Sequence, residues 1–199
     1  MVILTTIGFV RHGVTAWNKE GRAQGSSDVP LDDEGIEMAE RVAERLYKEQ
    51  WDVIYTSHLI RAKKTAEIIA AKMPDMELIE DARLREISGG LIEGTTEAER
   101  IEKWGEDWRQ QDMGFETHES IVSRGMESIE DIKNKHAGKR VLVVSHGGLI
   151  KRLLQELITD TKYDANLDNT SLTIVELKDD QNSCELFNCT AHLQMSAES

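Results

Sequence analysis

Four consecutive aliphatic residues, Val141-Leu142-Val143-Val144, stand between Arg140 and Ser145, and His146-Gly147-Gly148 and a helical pattern from Leu149 follow at once. Strand side chains alternate between two faces, so a run with no polar member must be covered on both sides. That environment is the interior of a parallel sheet sandwiched by helices. A second β-branched apolar run, residues 2–10, ends in the same way, in Arg11-His12-Gly13. The chain is therefore expected to be α/β, with two central strands that each end in a His-Gly turn. Ligands of open α/β sheets bind at the carboxyl edge of the strands.

The rest of the chain reads as alternating units. Residues 19–30 hold three Gly or Pro and several Ser, Asp and Gln, and read as a loop hanging over the Arg-His turn. A helix begins at Asp32 or Asp33, each a suitable N-cap, with Ile36, Ala39, Val42, Ala43 and Leu46 at helical spacing. Residues 51–57 form a second buried strand and 58–69 a helix, which puts Arg61 in a helical first turn. A cation there opposes the helix dipole unless an anion shares the site. Residues 78–80 read as a short strand. Residues 83–94 form a loop containing Glu86 and three glycines. Residues 88–117, with Trp104, Trp108 and Phe115, read as a flap or lid, its tryptophans packing against the domain. A helix spans about 117–136, with Ile121, Val122, Met126, Ile129 and Ile132 inward. Strands at 171–177 and 184–189 close the chain, joined by a turn at 178–183. One domain covers 1–199.

Charge and cysteine content narrow the function. The formal net charge is −13 and no basic run interrupts it, which argues against nucleic acid and anionic membranes as partners. A few buried arginines still suffice to hold a small anion. No apolar run approaches the roughly 18 residues of a membrane span, and no basic region precedes the first strand as in a signal peptide. Cys184 and Cys189 are five apart on one strand, so they face opposite ways and are expected unpaired in a reducing cytoplasm. No spacing of Cys, His or acidic residues suggests a metal site, and no cofactor is implied. The sequence leaves the oligomeric state open, a homodimer included.

Three strand ends thus present Arg11-His12-Gly13, Arg61 and His146-Gly147, with Glu86 on a loop between the last two. Two histidines, two arginines and one carboxylic acid suit phosphoryl transfer through a phosphohistidine. His12 would attack in neutral form, its other nitrogen held by a backbone carbonyl. Arg11, Arg61 and a protonated or donor His146 would neutralise the phosphoryl oxygens. Glu86 would protonate the leaving alkoxide and then activate water, a task needing a pKa raised by a partly buried or anion-rich setting. Asn18 and Gln24 would add neutral hydrogen bonds, with Gly25 and Gly147 completing the substrate-binding set.

Arg11-His12-Gly13-Val14-Thr15 with Asn18, Ser57-His58-Leu59-Ile60-Arg61-Ala62 with Thr65-Ala66, Leu84-Arg85-Glu86 and Ser145-His146-Gly147-Gly148 together resemble the histidine phosphatase superfamily, typified by cofactor-dependent phosphoglycerate mutase. The resemblance implies a three-layer α/β/α sandwich with a mostly parallel sheet. It also implies His12 as the phosphorylated residue, Glu86 as proton donor, and a phosphate pocket of Arg11, Asn18, Arg61 and His146. Two features depart from the family: Ile92 stands where a tryptophan is common, and the segment after Glu86 is shorter than in the mutases. A shorter cover admits water, so a metal-independent phosphomonoesterase of the broad-specificity bacterial type, acting on small phosphorylated metabolites, is expected over a mutase. Alpha-ribazole phosphate and fructose bisphosphate phosphatases are relatives of the same kind, and a silent phosphate-binding protein is the non-enzymatic alternative.

Overall fold

The computed structural model describes residues 4–160 and 163–194. Six strands form one sheet in the order β3-β2-β4-β1-β5-β6, with β1 Thr5–Arg11, β2 Val53–Thr56, β3 Glu77–Glu80, β4 Arg140–Ser145, β5 Leu172–Leu177 and β6 Ser183–Cys189. The first four in this order are mutually parallel, β5 runs antiparallel to β1, and β6 runs antiparallel to β5. The helices among the described residues are α1 Ala16–Lys19, α2 Asp33–Tyr47, α3 Ile60–Ala71, α4 Glu97–Trp104, α5 His118–Lys135, α6 Gly147–Leu157 and α7 Ala191–Gln194.

The aliphatic run explains the layering. In β4, Val141 and Val143 enter a core closed by α5 and α6, through Ile129, Ile132, Leu149 and Leu153. Leu142 and Val144 point the other way, into a core closed by α2 and α3 through Val42, Leu46, Ala62 and Ile69. This is the three-layer sandwich expected. The chain leaves β1 toward the α2 face and leaves β4 toward the α6 face. The two strands are neighbours, with Arg11 opposite Ser145. A crevice therefore opens between their carboxyl ends, the switch point at which such sheets bind ligands.

Several boundaries differ from those read in the sequence. The helix placed at 58–69 spans Ile60–Ala71, and the one opened at Leu149 begins at Gly147, with His146 as its N-cap. Turn residues after Gly13 include the short helix α1. It exists because the Thr15 hydroxyl accepts from the Asn18 amide while Asn18 Oδ1 accepts from the Thr15 amide, a reciprocal cap. Val122 and Met126 are only partly buried, and the inward face of α5 instead includes Arg124, Gly125 and Ser128. Trp108 is buried; its Nε1 donates to Glu97 and its ring lies against the guanidiniums of Arg100 and Arg109, all within the 88–117 segment. Cys184 and Cys189 form no disulfide. The register of β6 against β5 shifts twice between them, so the two parity changes cancel.

Candidate active site

The parallel register sets the geometry. His12 N donates to Ser145 O (3.0 Å) and Ser57 N donates to Val144 O (3.1 Å), so the ends of β1, β4 and β2 lie abreast. The rings of His12 and His146 are 5.2 Å apart between centroids, inclined at 58°. Both are buried, at 2% and 0% exposure. Gly13 carries the chain out of β1 because a Cβ there would lie 2.4 Å from Gly35 O at the start of α2. Its N–H donates to Thr65 Oγ1, which ties the turn to α3.

His12 has the tautomer a nucleophile needs. Its Nδ1 lies 2.7 Å from Gly13 O, and a carbonyl only accepts, so Nδ1 carries the proton and Nε2 the lone pair. Burial, then Arg61, then Arg11 push the His12 pKa well below its ordinary value, which keeps the ring neutral. Burial and the same cations push His146 down in the same direction. The direction favours the neutral, donor form of His146 over the protonated one. Its Nε2 meets Ser57 Oγ at 2.9 Å, and its Nδ1 is buried without a partner.

The two guanidiniums converge on the same place. Arg61 is fully buried in the first turn of α3, with Nη1 donating to Ser27 O and Nη2 to Gly25 O, both at 2.7 Å. Arg11 Nη1 donates to Leu167 O. The Nε of each is buried without a partner, which leaves that edge of each fork for an anion. Burial lowers both pKa values and Glu86 opposes the shift in each case, so the carboxylate stands near both cations. Glu86 itself occupies the amino end of α6: its carboxylate accepts from the amides of Ile87 (2.9 Å), Leu149 (3.0 Å) and Gly148 (3.2 Å). A Cβ on Gly148 would fall 2.6 Å from Glu86 Oε1, so only glycine admits this contact. Glu86 is partly buried, with these amide donors at its carboxylate and the two guanidiniums near it.

The remaining expected positions differ in what they offer. The capping bonds occupy Asn18 Oδ1 and so orient its Nδ2 as the donor left for a ligand. Gln24 Oε1 is buried without a partner. Gly25 takes part through its carbonyl, which fixes Arg61. Gly147 is the first residue of α6, and a Cβ on it would lie 3.3 Å from Arg11 Nε.

Sequence reasoning missed several supports. Glu93 accepts from Ser26 N, Ser27 Oγ and Gly89 N, which joins the loop that holds Arg61 to the Glu86 loop. Asn169 Nδ2 and Thr170 N both donate to His12 O, and Thr170 N also to Arg11 O. Arg124 binds the backbone carbonyls of Arg83, Arg85 and Glu86 itself. Arg124 left one legible signal, a cation on the inward face of α5; Glu93, Asn169 and Thr170 left none. Among the described residues no cluster of three or more His, Cys, Asp or Glu is arranged to hold a metal. No helix there is long and apolar enough to cross a membrane.

Comparison with known proteins assigns the family. A metal-independent phosphoserine phosphatase of Arabidopsis thaliana is 36% identical over 200 residues, covering 96% of this chain and 84% of that one. The solved structure of Bacillus stearothermophilus YhfR superposes with a TM-score of 0.83 at 31% identity, covering 95% and 99% of the two chains. Phosphoserine phosphatase of Entamoeba histolytica, solved with phosphoserine, gives 0.80 at 29% identity and 95% and 99% coverage. The family model described as histidine phosphatase superfamily, branch 1, matches residues 7–190. The chain belongs to the histidine phosphatase superfamily.

Proposed function

We propose that this phosphatase hydrolyses small phosphomonoesters without a metal, by way of a phosphohistidine at His12, and that phosphoserine-like esters are its preferred class. The observation that carries the reading is the state of His12: a neutral ring whose Nδ1 proton is spent on Gly13 O, so that Nε2 presents its lone pair beside two buried cations.

The chemistry then follows. His12 Nε2 attacks phosphorus, the phosphorus–ester oxygen bond breaks, and the leaving alkoxide takes a proton from Glu86. The unpartnered Nε edges of Arg11 and Arg61 meet the equatorial oxygens, where charge is concentrated. With the Ser57 hydroxyl donating to His146 Nε2, the His146 proton resides on Nδ1, which becomes a further donor to phosphate. Water then attacks the phosphohistidine and gives its proton to the Glu86 carboxylate. The phosphorus–nitrogen bond breaks, free phosphate leaves, and His12 returns to its starting tautomer. Nothing in this cycle requires a metal, because the two guanidiniums supply the positive charge.

The substrate class rests on the phosphoserine named for the Arabidopsis and Entamoeba relatives. The test is a phosphate-release screen over phosphoserine, 3-phosphoglycerate, sugar phosphates and nucleotides in the presence of EDTA, with organic products resolved. The reading expects free phosphate, fastest from phosphoserine. Conversion of 3-phosphoglycerate to 2-phosphoglycerate with no phosphate released would contradict it.

A further inference from the structure

Glu86 stands on a loop, and a loop fixes a carboxylate only as firmly as its own backbone is fixed. The chain leaves a single 3-10 turn at Ala82–Leu84 and enters the 88–117 segment two residues after Glu86. The Ser145 hydroxyl of β4 takes up Leu84 O (2.7 Å). The carbonyls of Arg83, Arg85 and Glu86 are taken up by one side chain from another layer. Arg124, on the inward face of α5 and 8% exposed, donates from Nη1 to Arg83 O (2.6 Å) and Arg85 O (2.9 Å), and from Nη2 to Glu86 O (3.3 Å). Its other two donors go to Glu116: Nε to Oε1 (2.8 Å) and Nη2 to Oε2 (2.9 Å). All five guanidinium N–H groups are therefore engaged.

Glu116 in turn closes the base of the 88–117 segment. Its N–H donates to Ser88 O (3.1 Å) and its Oε2 accepts from Ser88 N (3.3 Å), while Arg85 Nη2 also reaches its carboxylate (3.1 Å). Arg124 first, aided by Ser88 and Ser120, holds the Glu116 carboxyl down at about 2, so the pair stays ionised across the whole working range of pH. The cation-to-carboxylate pair is thus built around the backbone of the residues flanking Glu86 and not around the substrate pocket itself.

We propose that Arg124, anchored by Glu116, is the positioning residue for Glu86, holding the backbone of the general acid and the stem of the 88–117 segment as one polar unit. The proposal rests on the role assigned to Glu86 above. A planar five-donor group is required because three carbonyls and one carboxylate are met at once; lysine, with three donors on a point charge, cannot reach them together. Displacement of an acid by about 1 Å costs on the order of 100-fold in rate.

The test compares Arg124→Lys, Glu116→Gln and Glu86→Gln with wild type, using kcat/KM, which reports phosphoenzyme formation, for two esters. Phosphoserine has an alkoxide leaving group that needs a proton; p-nitrophenyl phosphate has one that hardly does. Arg124→Lys is expected to lose about 100-fold on phosphoserine and far less on p-nitrophenyl phosphate. Combined with Glu86→Gln it should add no further loss on phosphoserine, since both changes remove one function. Glu116→Gln should show the same selectivity with a smaller loss, and it carries the test where Arg124→Lys does not fold. Equal losses on the two esters, or losses fully additive with Glu86→Gln, would overturn the positioning role. Should Glu86→Gln itself slow both esters alike, the general-acid assignment falls first, an outcome separable from a failure of Arg124 alone.

Discussion

Replacing Arg61 tests two functions of one buried cation at once. Arg61→Met keeps most of the volume of a fully buried side chain and removes its charge and its donors. The first consequence is on rate. A preorganised donor to charge that develops in the transition state is worth about 3–4 kcal/mol, so kcat/KM should fall by roughly 10²–10³. Gly25 O and Ser27 O also lose their partners, and each unsatisfied carbonyl costs about 1–3 kcal/mol if it stays buried. The variant should therefore melt lower as well. The second consequence is on pH. After burial, Arg61 is the largest cause of the lowered pKa of His12. Removing it lets the His12 pKa rise, so the imidazole is protonated, and its lone pair lost, at a higher pH. The acidic limb of the kcat/KM profile must move upward. Arg61→Lys is the control: it keeps the charge, so the limb should stay near its wild-type place while the rate still drops. The assay is kcat/KM against pH with p-nitrophenyl phosphate for all three proteins, so that the titration of the substrate is common to them. An Arg61→Met limb that stays in place, or a loss under about tenfold, would refute the assignment of Arg61 as the cation shared by phosphate and nucleophile.

Two further outcomes follow from the same geometry. His192 in α7 is buried, with Nε2 on Thr170 Oγ1 and Nδ1 unpartnered, and burial pushes its pKa down to about 4. The unfolded chain, with a histidine near 6.5, binds this proton first, so stability is full above that pH and is lost as pH falls toward about 4. This histidine accounts for a loss on the order of 3 kcal/mol across that window, and the lowered values of His12 and His146 act in the same direction. Urea unfolding at stepped pH should show the decline and His192→Asn should flatten it; a pH-independent midpoint would contradict the assignment. Exhaustive EDTA treatment should leave phosphate release unchanged, and loss restored by an added divalent cation would defeat the metal-free cycle.

How much was legible in the sequence depends on whether the determinant is local. The run Val141 to Val144 gave the central strand, and the alternation of its side chains fixed a helix layer on each face. His12, Arg61 and His146 were legible because each sits at a strand's end or in the helix turn beyond it, where side chains must meet at the sheet edge. The carbonyl partner of His12 was expected for the same reason, since Gly13 is its neighbour in sequence. What escaped notice is non-local and polar. The tie from Glu93 to Ser26 and Ser27, and the bonds from Asn169 and Thr170 to His12, connect residues far apart in sequence through loops that carry no periodicity. The lowered pKa of His146 depends on burial and on cations carried by other elements, which no local pattern records.

The central claim concerns one nitrogen. Brief incubation with a small phosphomonoester, an alkaline quench and peptide mapping by mass spectrometry should find phosphate on His12, stable in alkali and lost in acid; phosphorus NMR of the same sample should assign it to Nε2. Phosphate found on His146 instead, or turnover that persists in His12→Ala with no trapped phosphoenzyme, would contradict the account.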